Sequence, residues 1–172
     1  MKNTVIALTC LLGLFFAENE ATAAEGRATA TIMPAISASK NTNTDTNGDL
    51  AFGVIVPGES SGTVTISPST SNRTYRGGVA LVASTSGAAS FNITGSANAV
   101  YTVTLPDTDT IDISSAGNIM KVQSFTIHPP SGSANLGADG QAIFNVGGTL
   151  LVEPNQAAGS YTGTFQVTVA YQ

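Results

Sequence analysis

Hydrophobic and polar residues alternate along the chain in short runs bounded by Gly, Pro, Asn and Asp. Alternation at a period of two places successive side chains on opposite faces of a β-strand, and no stretch after residue 23 sustains a helical period. The pattern predicts strands at residues 28–38, 50–56, 63–67, 79–83, 90–94, 100–105, 110–113, 120–128, 141–146, 149–153 and 161–171. Many short strands at nearly regular spacing are typical of an antiparallel, immunoglobulin-like β-sandwich. We therefore predict an all-β single domain.

The N-terminal residues have the pattern of an export signal. Lys2 precedes an apolar run over residues 5–17 and a small-residue stretch over residues 21–24. Such a run is too short to span a bilayer and is typical of a secretory signal peptide. We predict a signal peptide at residues 1–23, a β-sandwich domain at residues 24–172, and export through the periplasm to the cell surface. The single cysteine, Cys10, lies in this signal, so we expect no disulfide in the mature chain.

Charge argues against two classes of partner. The 172 residues include 6 Lys and Arg against 11 Asp and Glu, which gives a formal charge of -5. Nucleic acids and anionic membrane surfaces are bound by clustered basic side chains, whereas these six are scattered. We expect neither a nucleic-acid partner nor insertion into a membrane.

The last predicted strand has the clearest apolar face. That face carries five large side chains, Tyr161, Phe165, Val167, Val169 and Tyr171, and the opposite face is mainly Thr and Gln. The strand reaches to within one residue of Gln172, which predicts an edge or closing role. Because an uncovered strand edge promotes aggregation, we expect another strand to cover it.

These features resemble bacterial fimbrial subunits that are assembled by the chaperone-usher route. Such subunits typically have a penultimate Tyr or Phe after alternating apolar residues, and a Gly fourteenth from the end. Tyr171 and Gly159 stand at these positions. The stretch Leu50-Ala51-Phe52-Gly53 and residues 158–164 are more particularly similar to the spore-coat-U type of archaic pilin and its cysteine-free secreted relatives. Archaic pilins usually carry a disulfide near the first strand, which this chain lacks.

The resemblance implies assembly by strand complementation. In such pilins a chaperone lends a missing strand during export, and the N-terminal extension of the next subunit replaces it in the fibre. The donor candidate is residues 28–38, with Ile32 and Ile36 as its main side chains. Strand exchange would also involve the last strand, Tyr161 to Tyr171, and Gly159 just before it. Residues 28–38 can equally be the first strand of their own sandwich, with Pro34 at an edge or bulge.

Two functions follow from this resemblance. The first is a structural or accessory subunit of a surface fibre, with other subunits, a periplasmic chaperone and an outer-membrane usher as partners. The alternative is a self-contained secreted binding module, similar to an adhesin, that completes its own sheet.

One catalytic motif is present. Gly58-Glu59-Ser60-Ser61-Gly62 matches G-x-S-x-G, and Asp107, Asp109 or Asp112 followed by His128 gives the order of a hydrolase triad. The motif works on a turn from a strand into a helix, whereas residues 63–67 are strand-like. We therefore expect that the protein is not an enzyme. We also expect His128 to lie at the end of its strand.

Metal and cofactor sites have little support. One histidine and no cysteine after Cys10 cannot supply the usual zinc ligands. Asn43, Asp45 and Asn47 imitate the start of a calcium loop that lacks its final Glu, so we expect a hydrated turn and no metal or cofactor. A basic-aromatic cluster, Arg73, Tyr75 and Arg76, is predicted to lie in a loop with its charges in water.

Overall fold

The computed structural model describes residues 25, 27–106, 110–131 and 134–172. The compact unit is Ile32–Gln172, and residues up to Thr31 belong to a separate unit. In that unit, residues 25 and 27–31 are described and have no regular secondary structure. The predicted signal peptide, like Asp107 and Asp109 of the hydrolase-like order, lies outside the described residues.

Ten strands and no helix occur in the described part of the chain. The strands are β1 Ser37–Lys40, β2 Ile55–Ile66, β3 Arg73–Leu81, β4 Ala89–Thr94, β5 Val100–Thr104, β6 Thr110–Ser115, β7 Asn118–His128, β8 Ala134–Asn135, β9 Gln141–Val152 and β10 Thr168–Tyr171. Every pairing between these strands is antiparallel. The predicted all-β, antiparallel fold is confirmed.

The strands form a sheet of seven and a sheet of three. β9 lies at the centre of the larger sheet, where it pairs with β7 along one edge and with β4 and then β2 along the other. β1 extends the sheet beyond β4, β3 beyond β2, and β6 beyond β7. In the smaller sheet, β5 lies between β8 and β10. Two packed antiparallel sheets make a β-sandwich, as predicted.

A pair of glycines allows β9 to change neighbours along one edge. Val146 pairs with β4, and Gly148, two residues later, pairs with Ile66 of β2. A Cβ on Gly147 would overlap the carbonyl oxygen of Ile66 and lie 2.7 Å from Cδ of Pro68. The sequence pattern predicts two strands here, at residues 141–146 and 149–153. The structure has one, because these glycines let the end of β2 approach an extended backbone closely.

A β-bulge in β7 changes which residues face the core. Ser124 and Phe125 together oppose the single residue Gly148 of β9, and Ser124 has a left-handed φ of 54°. Met120 and Val122 are buried before the bulge, and Phe125 and Ile127 are half-buried after it. The extra residue therefore keeps all four apolar side chains on the inner face, although the inward-facing positions change from even-numbered to odd-numbered residues at the bulge.

Buried apolar side chains form two clusters. The first joins β2, β3, β7 and β9, and contains Phe52, Val64, Ile66, Val79, Ala88, Met120, Val122, Leu150 and Val152. The second lies where β4 and β9 face β5, and contains Ala89, Ile93, Tyr101, Val103, Leu136, Phe144 and Val146. Residues of β9 belong to both clusters, so this one strand connects the two halves of the core.

Several predicted strands have different bounds in the structure. Of residues 28–38, only the last two enter β1, and of residues 161–171, only Thr168–Tyr171 are assigned to a strand. The predicted strand at residues 50–56 is mostly loop, and β2 starts at Ile55. Alternation shows which face a side chain prefers, but a ladder also needs a neighbouring backbone at the right distance.

The loop predicted for Arg73, Tyr75 and Arg76 is wrong, because all three lie in β3. The guanidinium of Arg73 donates to the carbonyl oxygens of Phe52 and Val82, both at 2.7 Å. Its charge is therefore used to hold the segment before β2 against the end of β3, and is not simply hydrated.

Phe144→Ala should be strongly destabilising. Phe144 is 0% exposed and its ring stacks on Phe91 with centroids 5.0 Å apart. Truncation leaves a cavity in the second cluster, which should lower the free energy of unfolding by about 3–5 kcal/mol in urea denaturation. Its neighbour Ile143 is 54% exposed on the same strand, so Ile143→Ala is the matched control and should cost about 1 kcal/mol or less. Equal losses for the two variants would contradict this assignment of the core.

Candidate partner-binding surface

The C-terminal segment, residues 159–171, contacts both sheets. Thr162 pairs with Ser114 of β6 through two backbone hydrogen bonds of 2.9 and 3.1 Å. Farther along, β10 pairs with β5, and the amide of Gln172 donates to the carbonyl of Val100 at 3.1 Å. Residues 163–167 form no strand pairing with any described residue. The segment thus begins beside the larger sheet and ends in the smaller one.

Glycines bring the start of this segment close to β6. A Cβ on Gly159 would overlap Oγ of Ser115, and a Cβ on Gly163 would lie 2.6 Å from the carbonyl oxygen of Asp112. The Tyr161 hydroxyl donates to the carbonyl of Ala157 at 2.7 Å and accepts from the side-chain amide of Gln156 at 2.9 Å. Gly159 and Tyr161 therefore fix how the segment starts.

Four of the five side chains of the apolar face predicted for the C-terminal segment are turned towards the second cluster, and the fifth, Tyr161, packs on the first. Phe165, Val167, Val169 and Tyr171 are half-buried and pack on that cluster, and the residues between them are exposed. The Phe165 ring lies 5.3 Å from that of Phe125 and 6.2 Å from that of Phe91, measured between centroids. Phe165 is therefore held in an aromatic group shared by β4, β7 and the C-terminal segment.

The second cluster is bordered by more partly buried apolar side chains than the first. Among the described residues, seven of its side chains are buried and twelve apolar side chains packed on it are only partly buried. The first cluster has nine buried and seven partly buried side chains. We call the half-covered face formed by Ile36, Phe165, Val167, Val169 and Tyr171 the acceptor surface. Apolar side chains added beside it would bury the apolar area that these five residues leave exposed.

Free strand edges border the acceptor surface. Within the described part of the chain, β10 pairs only with β5, and β1 pairs only with β4. β1 and β10 lie near each other without pairing. Each therefore has one edge with no strand partner among the described residues, and such an edge is the usual template for adding a strand.

The two donor candidates have different environments. Ile32 is 95% exposed, whereas Ile36 is half-buried and packs on the second cluster of its own chain. We call residues 32–36 the N-terminal arm. It has no regular secondary structure, and β1 begins directly after it at Ser37.

The penultimate tyrosine connects the two ends of the compact unit. The Tyr171 hydroxyl donates to the carbonyl oxygen of Pro34 at 2.8 Å and accepts from the amide of Ser96 at 2.7 Å. The fit is close, because a Cβ on Gly95 would lie 2.6 Å from this hydroxyl. Alternation identified Tyr171 as an inward-facing residue, but nothing in the sequence pointed to Gly95, Ser96 or the carbonyl of Pro34.

The residues of the G-x-S-x-G motif lie in an irregular part of the β2–β3 ladder. Pro57 pairs with Val79 and Gly62 with Gly77, so residues 58–61 bulge out opposite Gly78. The motif thus lies within a strand and does not form a turn into a helix. His128 ends β7, as predicted, and Asp112 forms an exposed ion pair of 2.8 Å with Lys121.

The calcium-like stretch forms a turn with internal hydrogen bonds. The Thr44 hydroxyl accepts from the amide of Gly48 at 2.7 Å, and Asn47 has a left-handed φ of 54°. Asn43 and Asp45 are exposed. In the described ranges, no group of three His, Cys, Asp or Glu side chains is placed to hold a metal ion.

Among the described residues, no helix has the length and hydropathy needed to cross a bilayer.

The stability of the fold should fall at alkaline pH because of Tyr101. Burial raises the pKa of Tyr101 above the ordinary 10.0 of tyrosine, since desolvation disfavours the phenolate. As the pH rises, the unfolded chain therefore loses the phenol proton of Tyr101 before the folded chain does. The contribution of Tyr101 to the free energy of unfolding is complete below about pH 10 and is lost as the pH rises through the pKa of the folded chain. Urea midpoints measured between about pH 9 and pH 11 should fall more steeply for the unmodified chain than for Tyr101→Phe.

Tyr75→Phe, which alters an exposed tyrosine of β3, is the control and should keep the steep pH dependence. If Tyr101→Phe has the same pH dependence as the unmodified chain, burial of Tyr101 does not contribute to it.

One family model matches the chain over residues 21–171, and its description is a domain of unknown function, DUF4402. No curated protein matches the chain, and no solved structure matches it. The family match extends from before β1 to the end of β10 and so includes the acceptor surface. The chain therefore belongs to the DUF4402 family.

Proposed function

We propose that this protein is a structural or accessory subunit of a bacterial surface fibre, assembled by β-strand complementation. The observation that carries the proposal is the acceptor surface, a half-covered apolar face beside the free edges of β10 and β1. A strand added there gains backbone hydrogen bonds from an edge and buries its alternate side chains against the second cluster. Both gains come from one interaction, which makes it strong and selective.

The donor in this proposal is the exposed part of residues 28–38, around Ile32, of another copy or of a related subunit. Ile32 supports it, because a β-branched side chain that is 95% exposed costs little to remove from its present position. Ile36 is already packed on the second cluster of its own chain, so it serves the acceptor side of the interface. In this arrangement one chain offers Ile32 and accepts a strand beside Tyr171.

Export completes the proposed pathway. The N-terminal pattern, with its apolar run and small residues, supports passage through the periplasm. There an acceptor surface with a free edge is an aggregation hazard until it is covered. A periplasmic chaperone that lends a strand, and an outer-membrane usher that exchanges it for the next subunit, are the partners that this physics calls for.

A second function has one observation in its favour. β1 already pairs with β4 of its own chain, with Ser37 opposite Thr94. A chain that supplies its own first strand in this way can act as a self-contained secreted binding module. The two functions differ in whether the acceptor surface is covered by another molecule.

Copies of the exported chain should form a ladder of species that resists SDS without heating and collapses to monomer on heating. Expression in a periplasm, followed by unheated and heated gels, measures this directly. Strand addition buries a continuous apolar face and many hydrogen bonds, so its dissociation should be slow. A folded monomer as the sole species would contradict the fibre proposal and favour the binding module.

Ile32→Asp should abolish the ladder and leave the monomer folded, because the exposed Ile32 contributes nothing to the core of its own chain. Val56→Asp is the matched control, since Val56 is a 49% exposed apolar residue of β2, and it should leave both the ladder and the fold unchanged. Ile36→Asp should instead lower the urea midpoint, because it places a charge against the second cluster. A ladder that survives Ile32→Asp would exclude Ile32 as the donor side chain.

A further inference from the structure

A polar groove lies on the outer face of the larger sheet, the face turned away from both core clusters. Its floor is formed by Ser90 of β4 and by Ile143 and Asn145 of β9, and Ser90 and Asn145 are directly paired. Its walls are residues 43–46, Ser71 and residues 86–88. We call it the outer groove. Its volume of about 460 Å³ is that of a site for a small ligand.

The walls of the outer groove are held in place by the fold itself. The buried side chain of Asn41 accepts from the amide of Asn43 at 3.2 Å and donates to the hydroxyl of Ser90 at 3.2 Å, so it ties a wall to the floor. The walls also approach each other closely, because a Cβ on Gly87 would lie 3.2 Å from Cγ2 of Thr46. A ligand would therefore enter a groove that is already formed, and little of its binding energy would be spent on ordering loops.

Several polar side chains of the outer groove keep their hydrogen-bonding capacity for a ligand. Within the described part of the chain, no hydrogen bond is formed by the side chains of Asn43, Asp45, Ser86 and Asn145. Ser86 and Asn145 are half-buried, and Asn43 and Asp45 are exposed. A carboxamide both donates and accepts, as does a hydroxyl, whereas the carboxylate of Asp45 only accepts. The groove therefore offers donors and acceptors side by side.

Charge and backbone pairing narrow the class of ligand. None of the described residues that line the groove is basic, and Asp45 adds a negative charge, so an anionic ligand is disfavoured. An extended peptide would need a free strand edge. At the floor there is none, because Asn145 pairs with Ser90 on one side and with His128 on the other. The amide and carbonyl of Ser90 are also bonded, to Gly48 and Asn41. A neutral ligand with many hydroxyl groups fits these conditions.

We propose that the outer groove binds a neutral carbohydrate. Asn43, Asp45 and Asn145 hydrogen-bond adjacent ring hydroxyls, each of which can donate and accept. Ile143 is 54% exposed among these polar groups, and it packs against the apolar C–H face of the sugar ring. Binding in this groove needs neither a free strand edge nor a second subunit. It therefore goes beyond strand complementation, and it is compatible with a fibre subunit and with a self-contained module.

The first measurement uses the labelled, exported chain on an array of immobilised glycans. The array carries neutral hexose and N-acetylhexosamine glycans, with sialylated and sulfated glycans beside them. We expect retention by neutral glycans and competition by the same saccharide free in solution, from which a Kd is obtained. Retention by no neutral glycan, or by the anionic glycans alone, would overturn the proposal.

Substitutions then place the binding in the outer groove. Asn145→Leu removes the carboxamide at similar size and should raise the Kd roughly fivefold, the size expected for one net hydrogen bond. Asp45→Asn removes the charge of an exposed side chain, so the fold should be unaffected, and it should raise the Kd about tenfold.

Gln123→Met is the matched control. Gln123 is a half-buried carboxamide on the outer face of the same sheet, opposite Thr149, and it does not line the groove. Its loss should leave the Kd unchanged. An unchanged Kd in both Asn145→Leu and Asp45→Asn, or an equal rise in Gln123→Met, would show that the sugar binds elsewhere and overturn the proposal. The unheated gel of the same samples reports the ladder separately, so failure of carbohydrate binding and failure of the fibre proposal are distinguishable.

Discussion

The backbone pairing of β9 is the interaction on which the rest of the structure depends. This strand pairs with β7 on one edge and with β4 and β2 in succession on the other. Its side chains enter both clusters, Phe144 and Val146 in the second, Leu150 and Val152 in the first. Three neighbouring strands and both clusters therefore depend on the position of this one strand.

The smaller sheet is short. Its three strands lie against the second cluster, and the C-terminal segment supplies four of the twelve partly buried side chains that pack on this cluster. A chain with few charges and a free strand edge in this position is a strong candidate for strand addition. The proposed function follows from this mismatch between apolar surface and available backbone.

The ends of the compact unit are linked at one hydroxyl. Tyr171 belongs to the acceptor surface through its ring and holds the N-terminal arm through its oxygen. Closing the C-terminal strand and positioning the arm are therefore coupled in the same residue.

The sequence by itself determined the all-β class, the antiparallel sandwich and the inward face of the C-terminal segment, because a period of two is a local property of the chain. It left the donor and first-strand roles of residues 28–38 equal, and in the structure only residues 37 and 38 of this segment enter β1. Only the tertiary structure decided the continuity of β9 through its glycines, the bulges at Ser124 and at residues 58–61, and the bond from Tyr171 to Pro34. Each of these depends on a backbone brought from a distant part of the chain. Alternation repeats every two residues, so it cannot specify register or partner.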